Sequence, residues 1–228
     1  MTIHPSVLDL SKRLIRFLPI AGVVAATTYA VSVCPHVYPG YSATLTAAAA
    51  GINPPSFVTH SLFTFVSRVV AACELFSLPI RLNLLSALCG TLCAMLIYRL
   101  VSRTILFYAC EDAGGGGLTN LLDESVKARM GHIMPPEIDR YNRRVFPIAV
   151  AGGLAAVFIF TYSAAIWSAA TRLNPGLFDL LLALMSLSLF PRGKTPSRLP
   201  RLALSVFLFV VGILDSAVFL VLFPCFAF

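Results

Sequence analysis

Residues 17–34 carry no charged side chain, and residues 82–98 and 145–171 repeat that pattern. The interior of a bilayer offers no partner to a backbone N–H or C=O. A crossing segment therefore has to be a helix of about 20 apolar residues, with its hydrogen bonds made internally. Residues 173–190 and 202–223 have the same character, apart from one acid in each, Asp179 and Asp215. These five stretches predict an all-α, polytopic membrane protein of about five transmembrane helices, forming one domain over residues 1–228. An outer loop (35–80) and an inner loop (99–144) connect the first three spans.

Composition supports the same class. Charged residues make up 12% of the chain and hydrophobic ones 58%, whereas a soluble domain carries about a quarter charged residues. The net charge of +7 would raise nucleic acid as a partner in a soluble protein. Here the basic residues flank apolar runs without interleaved aromatics, so nucleic acid is excluded and membrane lipid is the expected partner. All but three of the 17 lysines and arginines lie in segments 1–16, 99–144 and 191–201; the others are Arg68, Arg81 and Arg172. Basic residues collect on the cytoplasmic side, so the N-terminus is expected inside and residues 35–80 outside. A cleaved signal peptide ending near Thr28-Tyr29-Ala30 is the rival reading of the first apolar run.

The outer loop is broken by Pro35, Pro39, Gly40, Pro54 and Pro55, and 42–50 reads as a small-residue helix. Over 57–70, His60, Thr64, Ser67 and Arg68 share one helical stripe, and Val58, Leu62, Phe65, Val66 and Val69 the other. That period predicts an amphipathic helix lying at the membrane interface. His60 and Glu74 are candidate bases, against plainer roles as an interfacial polar residue and an ion-pair partner of Arg68 or Arg81. Arg68, Arg81 and Arg172 are candidate ligands for a lipid phosphate, or arginines that snorkel to ordinary headgroups. Asp179 and Asp215 are intramembrane acids, to be read as functional or as helix-packing contacts.

Other features carry less. Cys89 and Cys93 read as small buried hydrophobes. Cys34 and Cys73 fall on the outer side, and whether they pair stays open. The glycines at 114–117 lack the Lys-Ser/Thr of a phosphate loop and read as a linker. Asp123, Glu124, Lys127, His132 and Glu137 belong to a solvated loop, so no metal site and no cofactor are expected.

Two stretches resemble a known family. Residues 35–106, with PHVYPGYSATLTAAAAGINPPSFVTHSLFTFVSRV and LPIRLNLLSALCGTLCAMLIYRLV, are similar to bacterial protein O-mannosyltransferase-like membrane proteins of the GT-C glycosyltransferase class. FTYSAAIWSAATRLNPGLFDLLLAL, around Trp167-Ser168, is similar to a second region of them. The resemblance implies a bacterial inner-membrane protein that binds a polyprenyl-phosphate sugar at the outer face, with interfacial helices and a catalytic acid in the first outer loop. The matching positions are Gly40, Ser42, Pro54, Pro55, Arg81, Asn83, Trp167 and Ser168. The family's acidic positions fall on Tyr41, Thr44 and Asn174, so the base that glycosyl transfer needs is missing there. The resemblance thus implies a truncated, catalytically impaired member or one part of a split enzyme, working with a partner membrane subunit. The alternative is a small transporter or scaffold built around Asp179 and Asp215.

Overall fold

A computed structural model describes residues 13–52, 60–113, 136–190, 198–216 and 219. Pro54, Pro55, the 114–117 glycines, Asp123, Glu124, Lys127 and His132 lie outside the described residues, as does the side chain of Glu137. Every regular element among the described residues is helical: α1 (Leu18–Ser32), α2 (Tyr41–Ala49), α3 (Ser61–Ala71), α4 (Leu78–Ala113), α5 (Pro136–Tyr162), α6 (Ala164–Ala170), α7 (Pro175–Leu189) and α8 (Arg198–Asp215).

Three helical stretches are long and apolar enough to cross a membrane: Arg13–Ser32, Leu78–Leu106 and Arg144–Tyr162. The pair α6 and α7 counts as a fourth only if it is taken as one span broken by a 107° bend. The structure thus departs from five simple spans in two places. The segment expected over 145–171 stops at Tyr162. Ser163 takes an extended backbone, and its hydroxyl accepts from the Ile166 N–H to start the short helix α6. The last segment, α8, has Arg198 and Arg201 in its first turn and Asp215 at its end, and the remainder of the expected span 202–223 is largely undescribed.

The 36-residue α4 is the mast of the bundle, with α1, α3, α5, α6 and α7 packed on it. Its predicted span, 82–98, is only its middle; the helix runs on into what reads as inner loop. Small residues bring it close to its neighbours. A Cβ on Gly153 of α5 would fall into the Ser102 hydroxyl and the Tyr98 ring, and one on Gly90 would meet Tyr29, Ala170 and Leu177. Without a hydrophobic drive between helices in lipid, such close approach is what holds a bundle together. Apolar side chains point outward around it, among them Val23 and Val31 of α1, Phe158 and Ile159 of α5, and Phe207 and Leu214 of α8.

The bundle has two distinct ends. At one, the Asn83 amide donates to the carbonyl of Cys34, Cys34 N–H donates to Thr171, and Trp167 Nε1 donates to Ser32 Oγ. At the other, Tyr98 donates to the Leu14 carbonyl, and Leu14, Leu106, Val145 and Ala149 form a small core. Among the described residues, Cys34, Asn83, Trp167 and Thr171 thus share one end, and Leu14, Leu106 and Val145 the opposite one.

Candidate functional site

The described part of the loop expected outside, with α2 and α3, folds over the first end. Gly40 has φ +93 ahead of α2, a backbone conformation that side chains other than glycine resist. Helices α2 and α3 pack on each other and on α4. The arginines predicted to hold a lipid phosphate work within this cap. Arg68 Nε donates to Ala48 O near the end of α2 (3.4 Å), and Arg81 Nη1 to Ala71 O at the end of α3 (2.8 Å). A cation there meets the negative dipole end of each helix. Arg172 stacks on the Tyr38 ring, 3.3 Å from its centroid. Glu74 is exposed in the connection from α3 to α4.

Helix α3 is amphipathic as expected, but its stripes face the other way round from a helix floating on a core. Ser67 and Phe63 are buried, His60 is largely covered, and Phe65 and Val69 point outward. His60 and Ser67 of the polar stripe thus turn inward, while Arg68 stays exposed. An apolar surrounding such as lipid accepts Phe65 and Val69 without cost.

His60 leads the polar stripe, immediately before α3, and it meets the two acids of the last two apolar segments. Its Nδ1 lies 3.5 Å from Asp179 Oδ2 and 4.0 Å from Asp215 Oδ2. Asp179 is held on α7, which starts sharply because the Asn174 side chain accepts from Gly176 N–H (2.8 Å) and Pro175 supplies a preset first turn. Asp215 ends α8. Helices α7 and α8 are clasped by Ser186 and Ser205, each hydroxyl donating to the other's carbonyl at 2.8 Å. Asp215 Oδ1 then accepts from Leu62 N–H at 2.6 Å, so a carboxylate from another helix caps the N-terminus of α3, where negative charge is favoured. Phe63 and Phe178 pack together beside the group, with ring centroids 5.7 Å apart.

The centre is only partly satisfied. Asp179 takes a hydrogen bond from Ser216, yet Asp179 Oδ1, Asp215 Oδ2 and His60 Nδ1 are buried without a hydrogen-bond partner. His60 and Asp179 are near enough for an ion pair but not aligned for a hydrogen bond. Two ionised carboxylates within 4.8 Å repel by roughly 3–4 kcal/mol at an effective dielectric of about 20. The arrangement calls for positive charge between them.

Three of the residues singled out by the resemblance have structural work. Asn83 and Trp167 tie the first end together as described, and the Ser168 hydroxyl bonds Ala165 O. Ser42 is buried in the first turn of α2. At the family's acidic positions, Tyr41 is exposed, Thr44 donates to Gly40 O, and Asn174 caps α7. Asp179 and Asp215 belong together in the transporter alternative and His60 stands apart from them in the sequence; only the structure shows that the three meet. An acid in each of two apolar segments, with a histidine leading the polar stripe of a third, was the available signal. Cys34 and Cys73 are both free thiols, and Cys89 and Cys93 are buried among apolar neighbours.

These features describe an all-helical protein with at least three helices fit to cross a bilayer, capped at one end, with a buried His–Asp–Asp group under the cap. No protein-family model, curated protein or solved structure matches the chain.

Proposed function

We propose that this chain is a multipass membrane protein of GT-C-like build that binds a polyprenyl-phosphate sugar at its capped end and does not itself transfer the sugar. The observation that carries this reading is the cap: the stretch resembling the O-mannosyltransferase-like family folds into two helices laid across one end of the bundle. Arg68 and Arg81 bind the ends of its two helices and Arg172 stacks on Tyr38 beside it, so all three lie at the end where a phosphate headgroup would sit. The impairment follows from chemistry. Accepting a hydroxyl proton is work for a positioned base, and Tyr41, Thr44 and Asn174 offer no carboxylate. The reading includes a bacterial inner-membrane location, an inside N-terminus and a partner subunit that supplies the missing chemistry.

The test is photo-crosslinking in membranes with a polyprenyl-phosphate sugar probe carrying a radiolabelled sugar. Crosslinks are expected in residues 60–81 with no label passing to protein, and weaker crosslinking in Arg81→Ala. Equal labelling by a neutral polyprenol would sink the proposal, as would sugar transfer by the chain alone.

A second reading is favoured by one observation, the meeting of Asp179 and Asp215 next to a helix pair bent by 107°. Broken helices with midplane acids carry ions in secondary transporters. Proton- or ion-coupled flux in proteoliposomes, abolished by Asp215→Asn, would establish it in place of the first.

A further inference from the structure

We infer that His60, Asp179 and Asp215 form a binding site for one divalent first-row cation, with zinc and manganese the best-matched ions. The inference stands on the geometry of this group and does not depend on the lipid-linked-sugar reading.

One imidazole nitrogen and two carboxylate oxygens, from residues on three separate parts of the chain, lie within 4.8 Å of one another. Ligands bound to a common ion at about 2.0–2.2 Å stand about 3–3.5 Å apart. The recorded separations of 3.5 and 4.0 Å from His60 Nδ1 are close to this, and an ion would draw the two carboxylates together from within 4.8 Å. A second observation points to a ligand independently of this spacing. The Asp215 side chain is fully buried and its Oδ2 has no hydrogen-bond partner, as is also true of His60 Nδ1. A buried carboxylate oxygen without a partner is costly, and here it faces the other two donors.

Charge and donor type then select the ligand. Two carboxylates and a neutral imidazole carry two negative charges, and a divalent ion brings the group to neutrality. A protonated His60 would cancel only one. Imidazole favours zinc and other later metals, while carboxylates also suit manganese. Three protein ligands fall short of four- or six-fold coordination, so at least one position is left for water or a ligand oxygen. The carboxylates are also held from behind, Asp215 by Leu62 N–H and Asp179 by Ser216, as the outer partners of metal ligands usually hold them.

The experiment uses the full chain, purified in detergent without a polyhistidine tag and stripped with chelator. Bound zinc and manganese are measured by equilibrium dialysis with elemental analysis, and Co2+ serves as a spectroscopic probe of the ligand set. One equivalent is expected, with a raised thermal midpoint. His60→Ala should weaken binding at least tenfold and abolish the Co2+ visible bands, while Glu74→Gln, on an exposed side chain away from the group, should leave both unchanged. Asp215→Asn keeps the oxygen that caps α3 while removing the charge; its size-exclusion profile and helical circular dichroism check that it folds. Folded Asp215→Asn should bind at least tenfold more weakly, and if it does not fold, His60→Ala alone decides. Substoichiometric uptake at micromolar metal, or undiminished binding in His60→Ala, would overturn the inference. Crosslinking to the lipid probe bears on the proposed function alone, so the two can fail separately.

Discussion

Asp215 shows how one side chain can serve the fold and a site together. One carboxylate oxygen closes the N-terminus of α3 and the other turns to His60 and Asp179. Losing a cap costs about 1 kcal/mol. Asp215→Ala should therefore lower stability by roughly 1–2 kcal/mol, read as a lower thermal midpoint in detergent, with Asp215→Asn milder because its amide oxygen can still accept. Asn83 is a purely structural counterpart. It is buried and donates at 2.7 Å to Cys34 O. Asn83→Ala would strand that carbonyl and should cost about 1–3 kcal/mol, seen in the same melt, without changing metal uptake.

At the level of elements, two contacts set where the site can form. Helices α7 and α8 are joined by the reciprocal Ser186–Ser205 bonds. Interhelical hydrogen bonds in membranes average about 0.6 kcal/mol and reach about 1.7. The double change Ser186→Ala with Ser205→Ala should thus lower stability by about 1–2 kcal/mol, and in the metal assay it should weaken uptake by moving Asp215 relative to Asp179. Helices α4 and α5 meet at Gly152 and Gly153, where added side chains would strike Ile105, Ser102 and Tyr98. Gly153→Val should be destabilising by about 1–3 kcal/mol or more through overpacking, measured as early aggregation on heating.

For the whole molecule, the two ends make a prediction about sidedness. Cys73 is exposed beside the cap, and Ile15 is exposed at the opposite end. In cells, Cys73 as the sole cysteine should react with an impermeant maleimide. A sole cysteine placed by Ile15→Cys should react only after permeabilisation. Labelling of both from the same side would break the bundle arrangement and the assignment of the cap to the outer face with it.

How much of this could be read from the chain divides along physical lines. Helical class, the apolar cores of α1, α4 and α5, the period of α3 and the grouping of segments by end follow from local composition, because lipid and backbone hydrogen bonding act on each segment separately. The turn at Asn174-Pro175 also lay in the sequence as a cap followed by proline, although it was read there as a lost acid. The break after Tyr162 did not, since nothing in 145–171 is polar enough to end a span; Ser163 breaks it through one hydroxyl and an extended backbone.

What the sequence alone determined is therefore a set of apolar helices and the grouping of their described ends at two poles of the bundle. What only the tertiary structure decided is that His60, Asp179 and Asp215 share one site and that His60 and Ser67 of α3's polar stripe turn inward. A helical period tells which residues lie on the same face of one helix. It carries no information on the bend between α6 and α7 or the clasp of α7 on α8, and those two angles bring groups as far apart as residues 60 and 215 into contact.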